Sequence, residues 1–305
     1  MTPTSYAARR ASIGHFVPLR GLRYHVNVWG ELAHVTAQHP LLLLMHGWMD
    51  VGASFQFVVD AMDSARTIAA ADWRGFGRTD APPTDTYWFA DYLGDLDALI
   101  DGLSPAAPVD LAGHSMGGNV VMSYAGARPE RIRRLINMEG FGLPETRAEE
   151  APERLRQWLD ELKTPQQLKS YAGLDDVAAR LIKNNPRLQP ERAAWLAAHW
   201  AERRDDGRWH ILGDPAHKRV NPMLYRKDHV LESWKRISAP TLWIEGDETD
   251  PDRWWGHRYP RSEFDARIAH VRHLQRARLP ACGHMLHLDQ PQALATALEA
   301  FLNRA

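Results

Sequence analysis

Apolar and polar residues alternate over residues 15–18 and again over Leu22–Trp29, with Leu19-Arg20-Gly21 between the two runs. A period of two on either side of a turn predicts an antiparallel hairpin at a sheet edge. Residues 41–45 form instead an unbroken apolar run that stops at His46-Gly47, the pattern of a strand buried on both faces. Over residues 52–62, Phe55, Val58, Val59 and Met62 recur at helical spacing. Residues 66–71 read as the next strand and lead into a turn-rich loop, residues 72–80. Residues 87–103 predict an amphipathic helix, with Leu93, Leu96, Leu99, Ile100 and Leu103 opposite Asp91, Asp95, Asp97 and Asp101. A short strand (108–112), a helix (117–128) ended by Pro129 and a strand (133–138) follow. Strands alternating with helices predict an α/β fold, a mostly parallel sheet covered by helices on both faces.

After residue 142 the rhythm breaks. Helical segments at 153–162, Leu174–Asn184 and 190–203 are separated by Pro144, Pro152, Pro165, Pro186 and Pro190, and no buried strand pattern appears. This stretch is expected to be a helical cap, residues 143–235, inserted into an α/β core formed by residues 1–142 and 236–305. Within it, residues 205–209 read as an exposed turn entering a short extended segment, and the polar side chains of 214–219 are expected to face solvent. The alternation resumes with a strand at 239–244, a helix at 259–270, a last strand at Leu274–Leu279 and a last helix at Pro291–Leu302.

Composition narrows the function classes. A chain of 305 residues is long enough for one large α/β domain with an insertion. Lys plus Arg (37) almost cancels Asp plus Glu (38), so no overall field draws in nucleic acid or an anionic membrane, and a small, weakly charged substrate is expected. The single cysteine, Cys282, forms no intrachain disulfide. Residues 1–10 lack the apolar core of a secretory signal. The run at 41–45 is far shorter than the roughly 20 residues that cross a bilayer. A cytoplasmic protein is the expectation. Twelve tryptophans suit core packing and also the walls of an apolar pocket.

The chemistry concentrates at Gly113-His114-Ser115-Met116-Gly117, a G-x-S-x-G run between a predicted strand and a predicted helix. That context makes the run a sharp turn that lifts a serine hydroxyl above the sheet. It also sets the N–H of Met116 and the positive end of the helix beside a reacting carbonyl. A side chain at Gly113 or Gly117 would crowd the adjoining strand and helix.

The order of elements, the strand ending in His46-Gly47-Trp48, the 72–80 loop and the Gly113 to Gly118 turn together resemble the α/β-hydrolase superfamily over nearly the whole chain, least so across the insertion. The closest likeness is to the cap-bearing branch of esterases, epoxide hydrolases and haloalkane dehalogenases. The last two groups attack with an aspartate, whereas this chain has Ser115, which points to acyl transfer to water. The resemblance implies a second oxyanion donor, the N–H of Trp48, paired with that of Met116. It implies a general base on the loop after the final strand. There Gly283-His284-Met285-Leu286-His287, followed by Pro291, matches the family's G-H-x-x-H-x-x-x-P segment and selects His284. His287 and His46 are then packing or hydrogen-bonding residues, and Cys282 a small buried filler.

The acid of the triad has two places in the superfamily. Met138-Glu139 with Pro144 resembles the M-E-x-x-x-x-P segment in which some haloalkane dehalogenases carry it, and Glu139 is preferred. The commoner place, the loop after the strand at 239–244, holds Thr249 where the aspartate is expected. Asp250, one residue on, is the alternative, and Asp247 a weaker one. The resulting expectation is a serine hydrolase for carboxylic esters or related acyl bonds, with no metal and no cofactor. C–C bond hydrolysis, lactone opening and perhydrolysis are open to the same triad. A non-enzymatic ligand-binding protein on this fold is the alternative from another class.

Overall fold

A computed structural model describes residues 6–304. Residues 1–5, half of the stretch read above for a secretory signal, and residue 305 lie outside the described residues. The predicted hairpin is formed by β1 (Ile13–Leu19) and β2 (Leu22–Trp29), antiparallel with Leu19 opposite Leu22. β3 (Leu42–Met45) and β4 (Ile68–Ala71) are buried at every position. β5 (Val109–His114) and β6 (Ile132–Met138) follow.

Between β6 and the next sheet strand run α4 (Ala151–Leu162), β7 (Ser170–Tyr171), α5 (Leu174–Asn184), α6 (Pro190–Trp200), β8 (Ala201–Arg203), β9 (Trp209–Ile211) and α7 (Lys227–Lys235). β10 (Thr241–Gly246) and β11 (Leu274–Leu279) complete an eight-stranded sheet in the order β1-β2-β4-β3-β5-β6-β10-β11. β2 is antiparallel to both of its neighbours, and every contact from β4 onward is parallel.

The period of two in β3 sorts the core into layers. Leu43 and Met45 pack on one side with α2 (Phe89–Leu103), α3 (Met116–Ala127) and α9 (Arg261–Ile268), through Leu96, Leu99, Val120, Tyr124 and Phe264. Leu42 and Leu44 pack on the other side with α1 (Gln56–Ala61) and α11 (Pro291–Leu302), through Val58, Val59, Leu294, Leu298 and Phe301. A strand without polar positions is what a sheet sandwiched between helices requires. α7 lies against α3 closely enough that a Cβ on Gly126 would strike the Ser233 carbonyl, and Trp234 is buried in the first layer.

Three expectations change. The insertion holds more than helices and the one extended segment expected after the 205–209 turn: β7, β9 and β8 form a small antiparallel sheet. Strands of two or three residues are too short to show a period. The helix expected over 190–203 stops at Trp200, because Ala201–Arg203 pairs with Trp209–Ile211 across a turn at Gly207. The polar face expected of α2 is broken by Asp95, which is fully buried. It accepts hydrogen bonds from Arg74 Nε (2.5 Å), Arg20 Nη1 (2.7 Å) and Tyr24 Oη. A buried carboxylate persists where cations and donors replace its lost water.

Candidate active site

The loops at the carboxyl ends of β3, β5, β6, β10 and β11 meet above the sheet. Ser115 stands between β5 and α3 with φ +52° and ψ −113°, a backbone conformation that costs a non-glycine residue on the order of 1–3 kcal/mol. Two bonds hold it there: its N–H donates to the Met138 carbonyl (2.8 Å), and its carbonyl accepts from the Asn119 N–H (3.0 Å). The flanking glycines are steric requirements. A Cβ on Gly113 would lie 2.4 Å from the Gly117 carbonyl oxygen, and one on Gly117 would lie 2.4 Å from that of Met45.

His284, on the loop after β11, sets Nε2 at 3.0 Å from Ser115 Oγ. Its Nδ1 donates to Glu139 Oε2 at 2.6 Å. A carboxylate on Nδ1 fixes the proton there and leaves the Nε2 lone pair for the serine hydroxyl. Glu139 is almost fully buried at the end of β6 and has a positive φ (+57°). Its N–H donates to Ile244 O (3.2 Å), and its Oε1 accepts from Gly246 N–H (2.7 Å). Both carboxylate oxygens are therefore engaged, one by the imidazole and one by the strand beside it.

Asp250 is not brought into this chain. It is exposed, its Oδ1 accepts from the Asp252 N–H (3.1 Å), and its Oδ2 faces Arg253 (3.5 Å). Asp247 accepts from Cys282 N–H (3.1 Å) and so braces the loop that carries His284. Asp289 does the same through Gly283 N–H (2.9 Å). These braces escape the sequence pattern, because an aspartate in a turn already has a local reason to be there.

Among the described residues, neither of the two backbone donors expected for the oxyanion, the Met116 N–H and the Trp48 N–H, has a protein acceptor. The loop bearing Trp48 is fixed from below by His46, whose Nδ1–H donates to Gly47 O (2.7 Å) and whose Nε2 accepts from Trp73 N–H (2.9 Å). Burial pushes the His46 imidazole below its ordinary value, so it stays neutral in this role. Asp72 ties the same loops together. It accepts from Gly52 N–H (2.7 Å), His25 Nδ1 (2.8 Å) and Arg78 N–H (2.9 Å). Burial opposes ionisation of Asp72, but the His25 bond and charge outweigh it and hold the carboxyl below the usual range.

Trp254 stands edge-on to His284, ring centroids 4.6 Å apart, and together with Trp48 and Leu143 exposes a large apolar side chain. The insertion is stapled to the 72–80 loop by Gly77 N–H to Leu212 O (3.0 Å) and Asp214 N–H to Gly75 O (2.7 Å). Contrary to the solvent-facing expectation for 214–219, His217 is buried. It is stacked between Phe76 (3.7 Å) and Tyr87 (3.5 Å), because two aromatic faces and the Arg74 carbonyl satisfy it better than an open edge. A cleft of about 620 Å³ lies beside this junction and is lined by Phe16, Arg23, Arg78, Glu202 and Arg204 among others, but by none of Ser115, His284 and Glu139.

One group of potential metal ligands has its ligand atoms within 4.8 Å of one another among the described residues: Asp50, His114 and His287, all buried. Asp50 already accepts from Val51 N–H (2.8 Å), Ser54 Oγ–H (3.0 Å) and His287 Nε2–H (3.1 Å). That leaves the carboxylate committed to tying two loops together.

A family model described as alpha/beta hydrolase fold matches residues 40–291. A serine hydrolase-like protein of Danio rerio is 23% identical, over 98% of this chain and 91% of its own length. Epoxide hydrolase 3 of Xenopus tropicalis is 33% identical over 39% of this chain and 31% of its own length. Among solved structures, a thioesterase domain from the curacin biosynthetic pathway superposes with a TM-score of 0.81 at 26% identity, over 94% of this chain and 99% of that one. With a family match spanning most of its length and the sheet order described above, the chain belongs to the α/β-hydrolase superfamily.

Proposed function

We propose that the chain is a serine hydrolase that cleaves a carboxylic ester or related acyl bond of a small, largely apolar molecule through an acyl-enzyme. The observation that carries the reading is the unbroken chain Ser115 Oγ, His284 Nε2, His284 Nδ1, Glu139 Oε2, with contacts of 3.0 and 2.6 Å at its two joints. In the first half-reaction, His284 Nε2 takes the Ser115 proton as Oγ bonds to the acyl carbon. The carbonyl π electrons move onto oxygen, which the N–H groups of Met116 and Trp48 receive. The oxyanion then collapses, the bond to the leaving oxygen breaks, and His284 returns the proton to it. Water repeats the sequence on the acyl-serine. Glu139 holds the imidazolium in place through its contact with Nδ1. Each oxyanion donor is worth about 2.7–4 kcal/mol of transition-state stabilisation. None of these steps calls on a metal or a cofactor.

The insertion, residues 143–235, is proposed to cap this site. Trp48, Leu143 and Trp254 would then line an apolar acyl pocket beneath it. The likeness to a serine hydrolase-like protein and to an epoxide hydrolase supports a hydrolase, and the thioesterase likeness makes thioesters the second substrate set to test. The test is release of nitrophenol from short p-nitrophenyl esters by the parent and by Ser115→Ala, with fluorophosphonate labelling mapped to the peptide holding Ser115. Turnover that survives in Ser115→Ala, or a label on another residue, overturns the assignment. No turnover of any ester, lactone or thioester favours the ligand-binding alternative.

A further inference from the structure

The acyl-transfer reading uses the side chain of His284 but leaves open what holds its main chain. The loop from β11 to α10 (Leu286–Asp289) has no regular structure over 280–285, and Ala281 has φ +51°. Its neighbours are braced by Asp247 and Asp289, as described, and by Glu248 N–H to Cys282 O (2.9 Å). His284 itself is different. Among the described residues, one hydrogen bond reaches its main chain, from His114 Nε2 to its carbonyl oxygen at 2.8 Å.

His114 is the last residue of β5 and precedes Ser115. The dipeptide His114-Ser115 therefore grips His284 at two points, Oγ against the ring and Nε2–H against the backbone. We infer that His114 is a positioning residue, setting the imidazole of His284 in register with Ser115 through the His284 carbonyl. The inference rests on the acyl-transfer reading proposed above.

The chemistry explains why a histidine suits this place. A carbonyl only accepts, so Nε2 of His114 carries the proton and Nδ1 keeps a lone pair. Nδ1 is buried without a partner and lies where a Cβ on Gly47 would meet it at 2.9 Å, which presses the ring against the loop bearing Trp48. The ring also packs 4.8 Å from that of His284 and 4.7 Å from that of His287. Burial first, and these two neighbouring imidazoles second, push His114 far below its ordinary value. It therefore donates as a neutral group, adding no like charge beside the imidazolium that forms on His284. Arginine or lysine would supply the donor with that charge, and leucine would supply neither and strand the carbonyl.

The test compares the parent with His114→Gln and His114→Asn. The glutamine amide reaches the position of Nε2 and can donate to the His284 carbonyl; the asparagine amide reaches only that of Nδ1. Three quantities are measured: kcat and KM on p-nitrophenyl butyrate, the rate of Ser115 labelling by a fluorophosphonate, and the urea midpoint. In His114→Asn, kcat and the labelling rate are expected to fall about 10–100-fold with KM unchanged, the scale of a misaligned near-attack geometry. His114→Gln, which keeps the donor, is expected to stay within about threefold of the parent, less than the roughly tenfold that losing one neutral hydrogen bond would cost. Amide exchange over 280–286 is expected to quicken in the asparagine variant alone.

Parental kcat and labelling in His114→Asn overturn the proposal. Equal losses in both variants that track a lower urea midpoint overturn it as well, since a packing role predicts that result. A parent that is not labelled at Ser115 brings down the acyl-transfer reading first, and this role with it.

Discussion

Glu139→Gln separates the two candidate acids and puts a magnitude on the proposed one. The substitution keeps size and shape, and the side chain is fully enclosed, so what changes is charge and one acceptor. An imidazolium and a carboxylate in a 2.6 Å contact have charge centres about 4 Å apart, and at an effective dielectric constant of about 20 that pair is worth about 4 kcal/mol. Losing it from the transition state alone slows kcat roughly a thousandfold. A second effect works in the same direction. The glutamine oxygen remains the natural acceptor for Gly246 N–H, which now bonds Oε1 at 2.7 Å. The amide NH2 then faces His284 Nδ1, forcing that nitrogen to accept and moving the imidazole proton to Nε2, where it confronts the Ser115 hydroxyl. A wrong tautomer of this kind costs about 10⁴-fold in a serine protease triad. The expected loss in kcat is therefore about 10³- to 10⁴-fold, with KM little changed. The assay is steady-state hydrolysis of a p-nitrophenyl ester with a thermal melt in parallel, and with Asp250→Asn as the partner variant. A Glu139→Gln enzyme within about tenfold of the parent would refute the electrostatic argument, and all the more if Asp250→Asn were the slow one.

Other consequences reach further into the fold. Gly117→Ala is expected to lower stability by more than about 2 kcal/mol in urea unfolding, because its Cβ meets two carbonyl oxygens of the β3 end at 2.4 and 2.6 Å; a midpoint like the parent's would contradict the steric reading. Asp95→Asn removes the buried carboxylate charge that pairs with the Arg74 guanidinium at 2.5 Å and leaves it only the partly exposed Asp91 at 3.3 Å, and about 3–5 kcal/mol of stability is expected to go; a loss under about 1 kcal/mol would mean that the network is dispensable. His217 is pushed down to about 3 by burial, against the Arg74 and Gly75 backbone bonds that raise it. Between that value and the ordinary 6.5 the unfolded chain binds a proton that the folded chain refuses, so stability falls as pH falls through this window. His217→Phe keeps the stacking and removes that proton, and its stability is expected to decline less steeply between pH 6 and pH 4, by up to about 1.4 kcal/mol per pH unit. Urea midpoints measured across the window check it; parallel slopes would show that His217 does not carry the effect.

Periodicity made the framework legible. The buried runs of β3 and β4, the hairpin β1–β2, and the helices Leu174–Asn184 and Pro291–Leu302 stand where hydrophobic spacing puts them, because each long element buries a face of its own. What escaped was set by contacts distant in sequence. Asp95 reads as one more aspartate on a polar face until Arg74 and Arg20 are brought against it from 21 and 75 residues away. The strands β7 and β8 exist through pairing with β9, and no run of two or three residues announces that. His217 sits in a polar stretch and is buried by Phe76 and Tyr87, which the chain supplies from its first hundred residues. The same holds for the carboxylate beside His284. Glu139 and Asp250 each follow a parallel strand, and what distinguishes them is a contact across 145 residues.

That contact also changes what the loop after β10 is free to do. With the proposed acid on the neighbouring strand, held by Ile244 O and Gly246 N–H, residues 247–256 need not present a carboxylate to His284. They divide into two pieces of different character. The first, Asp247 and Glu248, bonds Cys282 and steadies the loop that carries the imidazole. The second, the short helix α8 (Asp252–Trp255), presents Trp254 to the exposed side of His284 and has no buried residue. In the proposed reading, the first piece supports the reaction and the second shapes what reaches it. The strain points the same way: Ser115, Glu139, Met49 and Ala281, four of the five non-glycine residues with positive φ among the described residues, lie in the loops that converge on the serine. Such conformations persist where surrounding structure over-determines them. Here the bonds to the Met138 and Ile244 carbonyls and from Gly246 N–H provide that constraint for Ser115 and Glu139, while among the described residues α8 joins the region by packing alone, its Trp254 and Trp255 edge-on to Phe141 at 6.0 and 6.4 Å.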